Sequence, residues 1–295
     1  MKILNAMPPY NLFGLEEQDY KTAKVVVVPV PYDSTSSYKV GSREGPRAII
    51  EASRSMELYS EEFDEVISDK VGIFTTEELA PDLNSPEGMV NRIAKEVGLI
   101  LDDKKLPLLL GGEHTIAVGA VKAVAKRAKE FSVLHIDAHA DSYDEFMSTR
   151  YSHACVMARI REMCKSCFSI GVRSINHDSA DRYEKQILYM KDMRKMETDE
   201  VVKTILKNCK SENIYITLDL DALDPSEMPS TGTPEPGGMH YDELKDVLKG
   251  VLEKKRLIAM DVNELSPIPG IVAPNYLVAK LLYSAIGYAF LKRKA

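Results

Sequence analysis

The chain has 295 residues, 44% of them hydrophobic, and its 38 basic and 45 acidic side chains give a net charge of -7. This size and composition suit one large α/β domain, and the acidic balance argues against a nucleic-acid partner, which needs a basic face. The apolar run at the N-terminus is too short for a signal peptide, so a cytoplasmic protein is expected.

Short apolar runs alternate with amphipathic stretches along the whole chain. The first run, residues 23–30, is rich in valine and is typical of a strand buried on both faces of a parallel sheet. The predicted strands are 23–30, 70–74, 106–110, 131–136, 168–170, 187–189, 213–218 and 256–262. The predicted helices are one that starts at 45–47, then 87–101, 116–130, 153–163, 178–186, 199–209, 241–252 and 275–292. This alternation predicts one parallel sheet with helices on both faces.

A single domain is predicted over residues 1–295, in which residues 1–23 form an irregular N-terminal arm. The largely apolar stretch 271–291 is long enough for a membrane span, but Lys280 near its middle would be a costly charge there. Its apolar residues form a stripe, which indicates a helix with one buried face. No membrane partner is therefore expected.

Three of the predicted strands end in side chains that bind metals. These side chains are His114 after the strand at 106–110, Asp137, His139 and Asp141 after 131–136, and Asp219 and Asp221 after 213–218. Alternate residues of a strand point to one side, and ligands of open parallel sheets bind at the carboxyl ends of the strands. The side chains are therefore expected to converge.

Four carboxylates and two imidazoles without a thiol suit two divalent ions. Shared carboxylates can bridge metals about 3.5–4 Å apart, and such a pair raises a hydroxide from water near neutral pH. Oxygen-rich ligation favours Mn²⁺, so two Mn²⁺ per chain are expected. A solvated loop with incidental acids is the alternative for the segment 137–141 taken alone.

Cys164 and Cys167 have the spacing of a redox motif, but we interpret them as structural thiols because no second such pair exists.

Together these motifs resemble the ureohydrolase family, which includes arginases and agmatinases. The matching segments lie in order between about residues 24 and 267; they are 31–33, 41–46, 111–114, 137–141, 152–154, 219–225, 232–234 and 263–267. The resemblance implies a three-layer α/β/α fold with a mostly parallel, roughly eight-stranded sheet and a binuclear manganese centre. It also implies a homo-oligomer, a trimer or a hexamer.

The resemblance further assigns a role to each site residue. By the family pattern, one Mn²⁺ takes His114, Asp137, Asp141 and Asp219, and the other takes Asp137, His139, Asp219 and Asp221. A metal-bridging hydroxide would attack the guanidinium carbon, and collapse of the intermediate would release urea and an amine. His153 would carry the proton, Glu264 would pair with the guanidinium, and Thr233 would contact the same end of the substrate. The alternative for His153 is a histidine without a role at a helix start. The alternative for Glu264 is an exposed loop acid.

Two departures from the arginase pattern point to agmatine, which would yield putrescine and urea. Tyr143 stands where arginases place an asparagine that holds the substrate carboxylate, and Ser174 stands near the place of their aspartate for the α-amino group. The segment 151–157 resembles agmatinases instead. Asp144 or Glu145 is a candidate to attract the far ammonium, with solvated surface acids as the alternative. An arginase or guanidinobutyrase, another binuclear hydrolase such as a phosphatase, and a metal-binding protein without catalysis remain as alternatives.

The other polar residues of these loops are expected to have structural roles. His135 is predicted to be a hydrogen-bonded core imidazole, and His177 and His240 are predicted to lie in loops. Asp224 precedes a proline and is expected to pin the loop backbone rather than bind metal.

Overall fold

A computed structural model describes residues 6–291 and contains one large parallel sheet. The strands are β1 (Val25–Val30), β2 (Tyr59–Ser60), β3 (Glu65–Val66), β4 (Ile73–Thr75), β5 (Leu106–Gly111), β6 (Ser132–Ile136), β7 (Cys167–Val172), β8 (Ile187–Tyr189), β9 (Asn213–Asp219) and β10 (Arg256–Asn263). Eight of them form the sheet in the order β4-β1-β5-β10-β9-β6-β7-β8, and every pair in it is parallel.

Helices cover both faces of the sheet. They are α1 (Gly45–Ser53), α2 (Ile67–Val71), α3 (Pro86–Asp102), α4 (Ile116–Ala125), α5 (Val156–Met163), α6 (His177–Tyr183), α7 (Met190–Met193), α8 (Thr198–Asn208), α9 (Tyr241–Leu252) and α10 (Ala273–Phe290). Side chains of one strand alternate between two apolar cores: Val26 belongs to the core that contains residues of α3, α4 and α5, whereas Val25 belongs to the core that contains residues of α1, α9 and α10. The predicted three-layer α/β/α fold is confirmed.

The segment after α1 differs from the prediction. Residues 59–66 form the antiparallel pair β2–β3, and α2 occupies the start of the strand predicted at 70–74. Gly72 ends α2 at a positive φ of 70°, where its N–H donates to the Ser68 carbonyl, so β4 begins only at Ile73. Two histidines expected in loops also lie at helix starts, because His177 begins α6 and His240 is the N-cap of α9.

Both ends of the described chain pack into the core. In the predicted arm, Leu12 and Phe13 are buried, and the Phe13 ring meets Tyr283 of α10 edge to face at 4.8 Å. Residues 1–5 of the arm lie outside the described residues. Helix α10 is buried over most of its length, with Lys280 half-buried. Within residues 6–291, no helix combines the length and apolarity that crossing a membrane requires.

Candidate metal centre and substrate cavity

The predicted ligands come together because their strands are neighbours. In the sheet, β5, β10, β9 and β6 lie side by side, and their carboxyl ends form the centre of one edge. Asp137 directly follows β6, Asp219 is the last residue of β9, and Glu264 directly follows β10. The turn after β5 passes very close to the loop after β1, since a Cβ on Gly112 would lie 2.0 Å from the Tyr32 carbonyl oxygen. Only glycine fits there.

His114 faces three carboxylates with its Nδ1, which in the neutral ring carries no proton. Its Nδ1 lies 3.1 Å from Asp137 Oδ2, 3.1 Å from Asp141 Oδ2 and 3.2 Å from Asp219 Oδ2. Its Nε2 lies 2.8 Å from the Thr217 hydroxyl, which itself donates to a carboxylate and so accepts from the ring. Nδ1 therefore presents a lone pair, and it is buried without a hydrogen-bond partner. A cation between this nitrogen and the carboxylates would satisfy all four groups.

A second group lies beside the first and shares Asp137. His139 Nδ1 is 2.9 Å from Asp221 Oδ2 and 3.6 Å from Asp137 Oδ1, so the two oxygens of Asp137 face the two groups. The other expected bridge, Asp219, turns its Oδ1 to the Asp221 N–H at 2.9 Å. Burial and then the charges of Asp221 and Asp137 raise the pKa of Asp219 well above its usual value. Cations would relieve this crowding, so the residues fit two divalent ions.

Hydrogen bonds behind the ligands hold them in place. His135 uses both ring nitrogens, on Asp137 Oδ2 at 2.8 Å and on Ser169 Oγ at 3.0 Å, which agrees with the predicted core imidazole. On the other side, buried Asp261 accepts from Thr217 at 2.7 Å and also from the Tyr215 hydroxyl. The sequence analysis missed this carboxylate. The sequence feature that could have revealed Asp261 is an acidic residue within the apolar run of a buried strand.

Glu264 projects into the same cavity from a strained backbone position. Its φ is +67°, a value that residues other than glycine rarely adopt. Its N–H donates to the Gly112 carbonyl at 2.8 Å, and its Oε1 accepts from the His114 N–H at 2.7 Å. Burial, and then the charge of Glu113, raises its pKa to about 8. A buried carboxyl of this kind is stabilised in its charged form by a cationic ligand.

The cavity has a volume of about 340 Å³ and joins these groups to an exposed rim. The predicted residues that line it are His114, His139, Asp141, His153, Asp219, Asp221, Thr233 and Glu264. Its rim includes Tyr38 and Tyr143, which are 79% and 43% exposed. Ser174 and Asn176 line it as well.

His153 lies in a short 3-10 turn, His153–Cys155, and is held on both ring nitrogens. Nε2 is 3.1 Å from Ser37 Oγ, and Nδ1 is 3.3 Å from Thr35 Oγ1. Burial lowers its pKa below the usual value. The sequence analysis missed Thr35 and Ser37, because nothing in the loop after β1 indicates which hydroxyl turns towards the distant His153.

Asp144 does not match the role expected for it, whereas Asp224 does. Asp144 was a candidate for the far ammonium, but it pairs with Arg159 and lies 3.3 Å from Arg150, so it is not free to receive a ligand. Asp224 accepts from the backbone N–H groups of Ser226, Gly237 and Gly238 at 3.0, 2.8 and 3.1 Å. It pins its loop as predicted.

All four cysteines, at 155, 164, 167 and 209, are free and buried.

Imidazoles and carboxylates gathered at the carboxyl edge of a parallel α/β/α sheet are the arrangement of a metal-dependent hydrolase. A profile of the Arginase family matches residues 23–287. The chain is 36% identical to an N(1)-aminopropylagmatine ureohydrolase of Thermus thermophilus over 94% of each chain. It is 31% identical to an agmatinase of Halalkalibacterium halodurans over 87% of this chain and 89% of that one. The chain belongs to the arginase family.

Solved structures agree with this assignment. The agmatine ureohydrolase of Thermoplasma volcanium superposes with a TM-score of 0.82 at 29% identity, over 92% of both chains. An arginase of Bacillus subtilis has the same fold, with a TM-score of 0.77 at 23% identity over 90% of this chain and 98% of that one. The predicted resemblance to the ureohydrolases is confirmed.

Proposed function

We propose that the protein hydrolyses agmatine to putrescine and urea with two Mn²⁺ bound at the carboxyl edge of the sheet. The observation that carries the proposal is one cavity in which the half-buried Glu264 lies beside two groups of metal ligands. Glu264 supplies a negative charge for a guanidinium. The two groups of metal ligands supply sites for cations that activate water. Few reactions need both.

The ligands that would hold the ions are those of the family pattern. The first set is His114, Asp137, Asp141 and Asp219, and the second is Asp137, His139, Asp219 and Asp221. When bound, the ions would make water a strong nucleophile near neutral pH. Mn²⁺ is proposed rather than Zn²⁺ because the set is rich in oxygen and has no thiol.

Glu264 would orient the guanidinium. Its Oε1 is held by the His114 N–H at 2.7 Å, so the carboxylate has a fixed plane that can receive two N–H groups of the substrate. Its burial makes the charged form costly without a cation, and the guanidinium supplies that cation. The guanidinium carbon is then positioned over the metal ligands.

His153 would give a proton to the amine that leaves. The leaving amine of agmatine is a strong base, so its departure needs a proton donor close by. His153 lines the cavity, and burial lowers its pKa, so its protonated ring is a stronger acid than an ordinary imidazolium.

The rim of the cavity supports a substrate without a carboxylate. Arginine would bring a carboxylate and an α-amino group, but Tyr143 and Ser174 stand at the positions where arginases receive them. Among the described residues that line the cavity there is no arginine, and Lys39 lies on an exposed loop, where solvent weakens its pairing with a charge. An ionised carboxylate would therefore be poorly paired there, at a cost of about 1–3 kcal/mol or more.

A second candidate substrate is N(1)-aminopropylagmatine, which has a longer cationic tail. Two observations favour it. The relatives at 34–36% identity carry this activity in their names, whereas the agmatinases are at 29–31%. A second cavity of about 350 Å³ also shares Ser142, Tyr143 and Asn176 with the first, and it adds the exposed carboxylate of Asp178. A longer amine tail has room to extend there.

Urea release tests the proposal. The protein would be loaded with Mn²⁺ and given agmatine, N(1)-aminopropylagmatine, arginine and a generic phosphate ester. We expect urea from the first two and loss of activity on chelation. Phosphate release without urea would identify the alternative phosphatase, and metal uptake with no turnover would identify a metal-binding protein.

The resemblance also predicts that the protein forms trimers or hexamers. Light scattering measures this oligomeric state.

A further inference from the structure

We infer that Thr35 is a positioning residue for His153: its hydroxyl links the imidazole to the buried carboxyl group of Glu113 and determines which ring nitrogen exchanges the proton. This inference rests on the proposed role of His153 in urea release. Thr35 lies in the loop after β1, and Glu113 directly follows the glycine pair after β5.

The polar atoms around the Thr35 hydroxyl form a continuous chain. Oγ1 donates to Glu113 Oε1 at 2.8 Å, accepts from the His153 backbone N–H at 3.1 Å, and lies 3.3 Å from His153 Nδ1. The Thr115 hydroxyl is 3.4 Å away. Glu113 is fully buried, so this chain runs from the interior to the ring that lines the cavity.

The hydrogen-bonding capacity of a hydroxyl fixes the position of the imidazole proton. A hydroxyl has one proton and two lone pairs. Since the proton of Thr35 goes to Glu113, the oxygen can only accept from His153, and Nδ1 must carry a hydrogen. Nε2 is then the nitrogen that takes up and releases the proton, and Ser37 lies beside it at 3.1 Å. This is the arrangement by which a buried acid orients a catalytic imidazole, here with a hydroxyl between them.

The backbone explains why Thr35 is in place. The Glu113 N–H donates to the Tyr32 carbonyl at 2.7 Å, and the Thr35 N–H donates to Glu113 Oε2 at 2.6 Å. Both contacts belong to the backbone of the loop after β1, so they survive a change of the Thr35 side chain. Replacement by valine puts a methyl group in place of the hydroxyl, so it removes together the bonds of Oγ1 to Glu113, to the His153 N–H and to the imidazole.

Ser152 is the rival partner of the ring. Its hydroxyl lies 3.4 Å from His153 Nδ1, and it also accepts from the Ala154 N–H at 3.3 Å as a cap of the turn. Thr35 is assigned the role because its hydroxyl also bonds to buried Glu113, and Ser152→Ala tests this assignment against the rival hydroxyl.

Single and double variants test the inference. The set is Thr35→Val, Thr35→Ser, Ser152→Ala, His153→Ala and the double variant Thr35→Val/His153→Ala, with Thr204→Val as a control. Thr204 lies on α8, and its hydroxyl donates to the Glu200 carbonyl of the same helix at 2.9 Å. Turnover, KM, metal content and melting temperature are measured for each.

We expect Thr35→Val to lower kcat about 10- to 100-fold, the range for a lost hydrogen bond to a charged group. KM and metal content should stay within about twofold of the parent, and Thr35→Ser should restore most of the turnover, as general acid–base geometry requires only the hydroxyl. In the His153→Ala background, Thr35→Val should have no further effect, because the two residues act through one proton. Thr204→Val should be unchanged.

Several results would overturn the inference: an equal loss from Thr35→Val with and without His153, no rescue by serine, or a larger loss from Ser152→Ala. A crystal structure of Thr35→Val gives a readout without activity. The His153 ring should leave the position that it keeps in Thr35→Ser, and an unmoved ring contradicts the inference. If Thr35→Val does not fold, Thr35→Ala replaces it. If the parent releases no urea, the proposed function fails, while the ring position still tests Thr35.

Discussion

The buried floor of the cavity and its exposed rim are built in different ways. The floor consists of residues at the ends of four adjacent strands, such as His114 and Asp219, which are buried and hydrogen bonded from behind. The rim consists of loops in which Tyr38 and Tyr143 are largely exposed. A rigid sheet edge holds reacting groups accurately, whereas loops change readily between relatives. We therefore propose that the floor defines the reaction class and the rim selects the tail of the substrate.

The largest effect should come from the floor. Asp219→Ala removes a carboxylate from the metal cluster, and we expect it to lose metal and all measurable urea release. Metal analysis alongside turnover checks this. Asp261→Asn is a milder companion, since it keeps the shape behind His114 but loses the charge that orients Thr217. Full activity in Asp219→Ala would show that the cluster is not the reactive centre.

His153→Ala should come next. We expect both metals to stay bound and kcat to fall about 10²–10⁴-fold, the usual contribution of a general acid or base. The matched control is His177→Ala, whose parent side chain is exposed and lies at the start of α6. If His153→Ala loses metal, the residue is a ligand rather than a proton carrier.

Glu264→Gln should have a smaller effect, confined to the guanidino end. The amide keeps the acceptor for the His114 N–H but cannot balance a cation, so kcat/KM should fall about 10- to 100-fold. Glu145→Gln, in an exposed loop outside the residues that line the cavity, is the control and should change kcat/KM less than twofold. Comparable losses in the two variants would place guanidinium recognition at the rim instead.

Asp224→Ala should have the smallest effect on turnover. It removes the acceptor of three backbone N–H groups in the loop after β9, so we expect a loss of about 1–3 kcal/mol in stability. Activity of the folded variant should change only a few-fold. Thermal unfolding and metal content measure the two effects separately, and loss of metal would show that Asp224 supports the cluster directly.

The sequence predicts the floor better than the rim because the floor follows strand periodicity. Asp137, Asp219 and Glu264 come at the ends of clear apolar runs, so their meeting at one edge follows from a parallel sheet. The positions of Thr35 and Tyr143 depend on long loops that carry no periodic signal. Ion pairs in those loops are equally hidden: Asp144 is held by Arg159, which no spacing indicates.

The prediction of secondary structure after α1 was also limited, because it depends on local backbone conformations that carry no periodic signal. The hairpin at 59–66 and helix α2 depend on turn conformations such as that of Gly72, and a short apolar run does not distinguish a helix from a strand. The buried arm residue Phe13 was missed because the few apolar residues around it are too short a run to show a period.

A side-by-side comparison of guanidines tests the central claim most directly. The Mn²⁺-loaded protein would receive agmatine, N(1)-aminopropylagmatine, arginine and 4-guanidinobutyrate, and kcat/KM for urea release would be measured for each. We predict that the two amines exceed arginine and 4-guanidinobutyrate by at least about tenfold, because Tyr143 and Ser174 offer an ionised carboxylate only neutral hydroxyl groups. Arginine or 4-guanidinobutyrate as the best substrate would contradict the account.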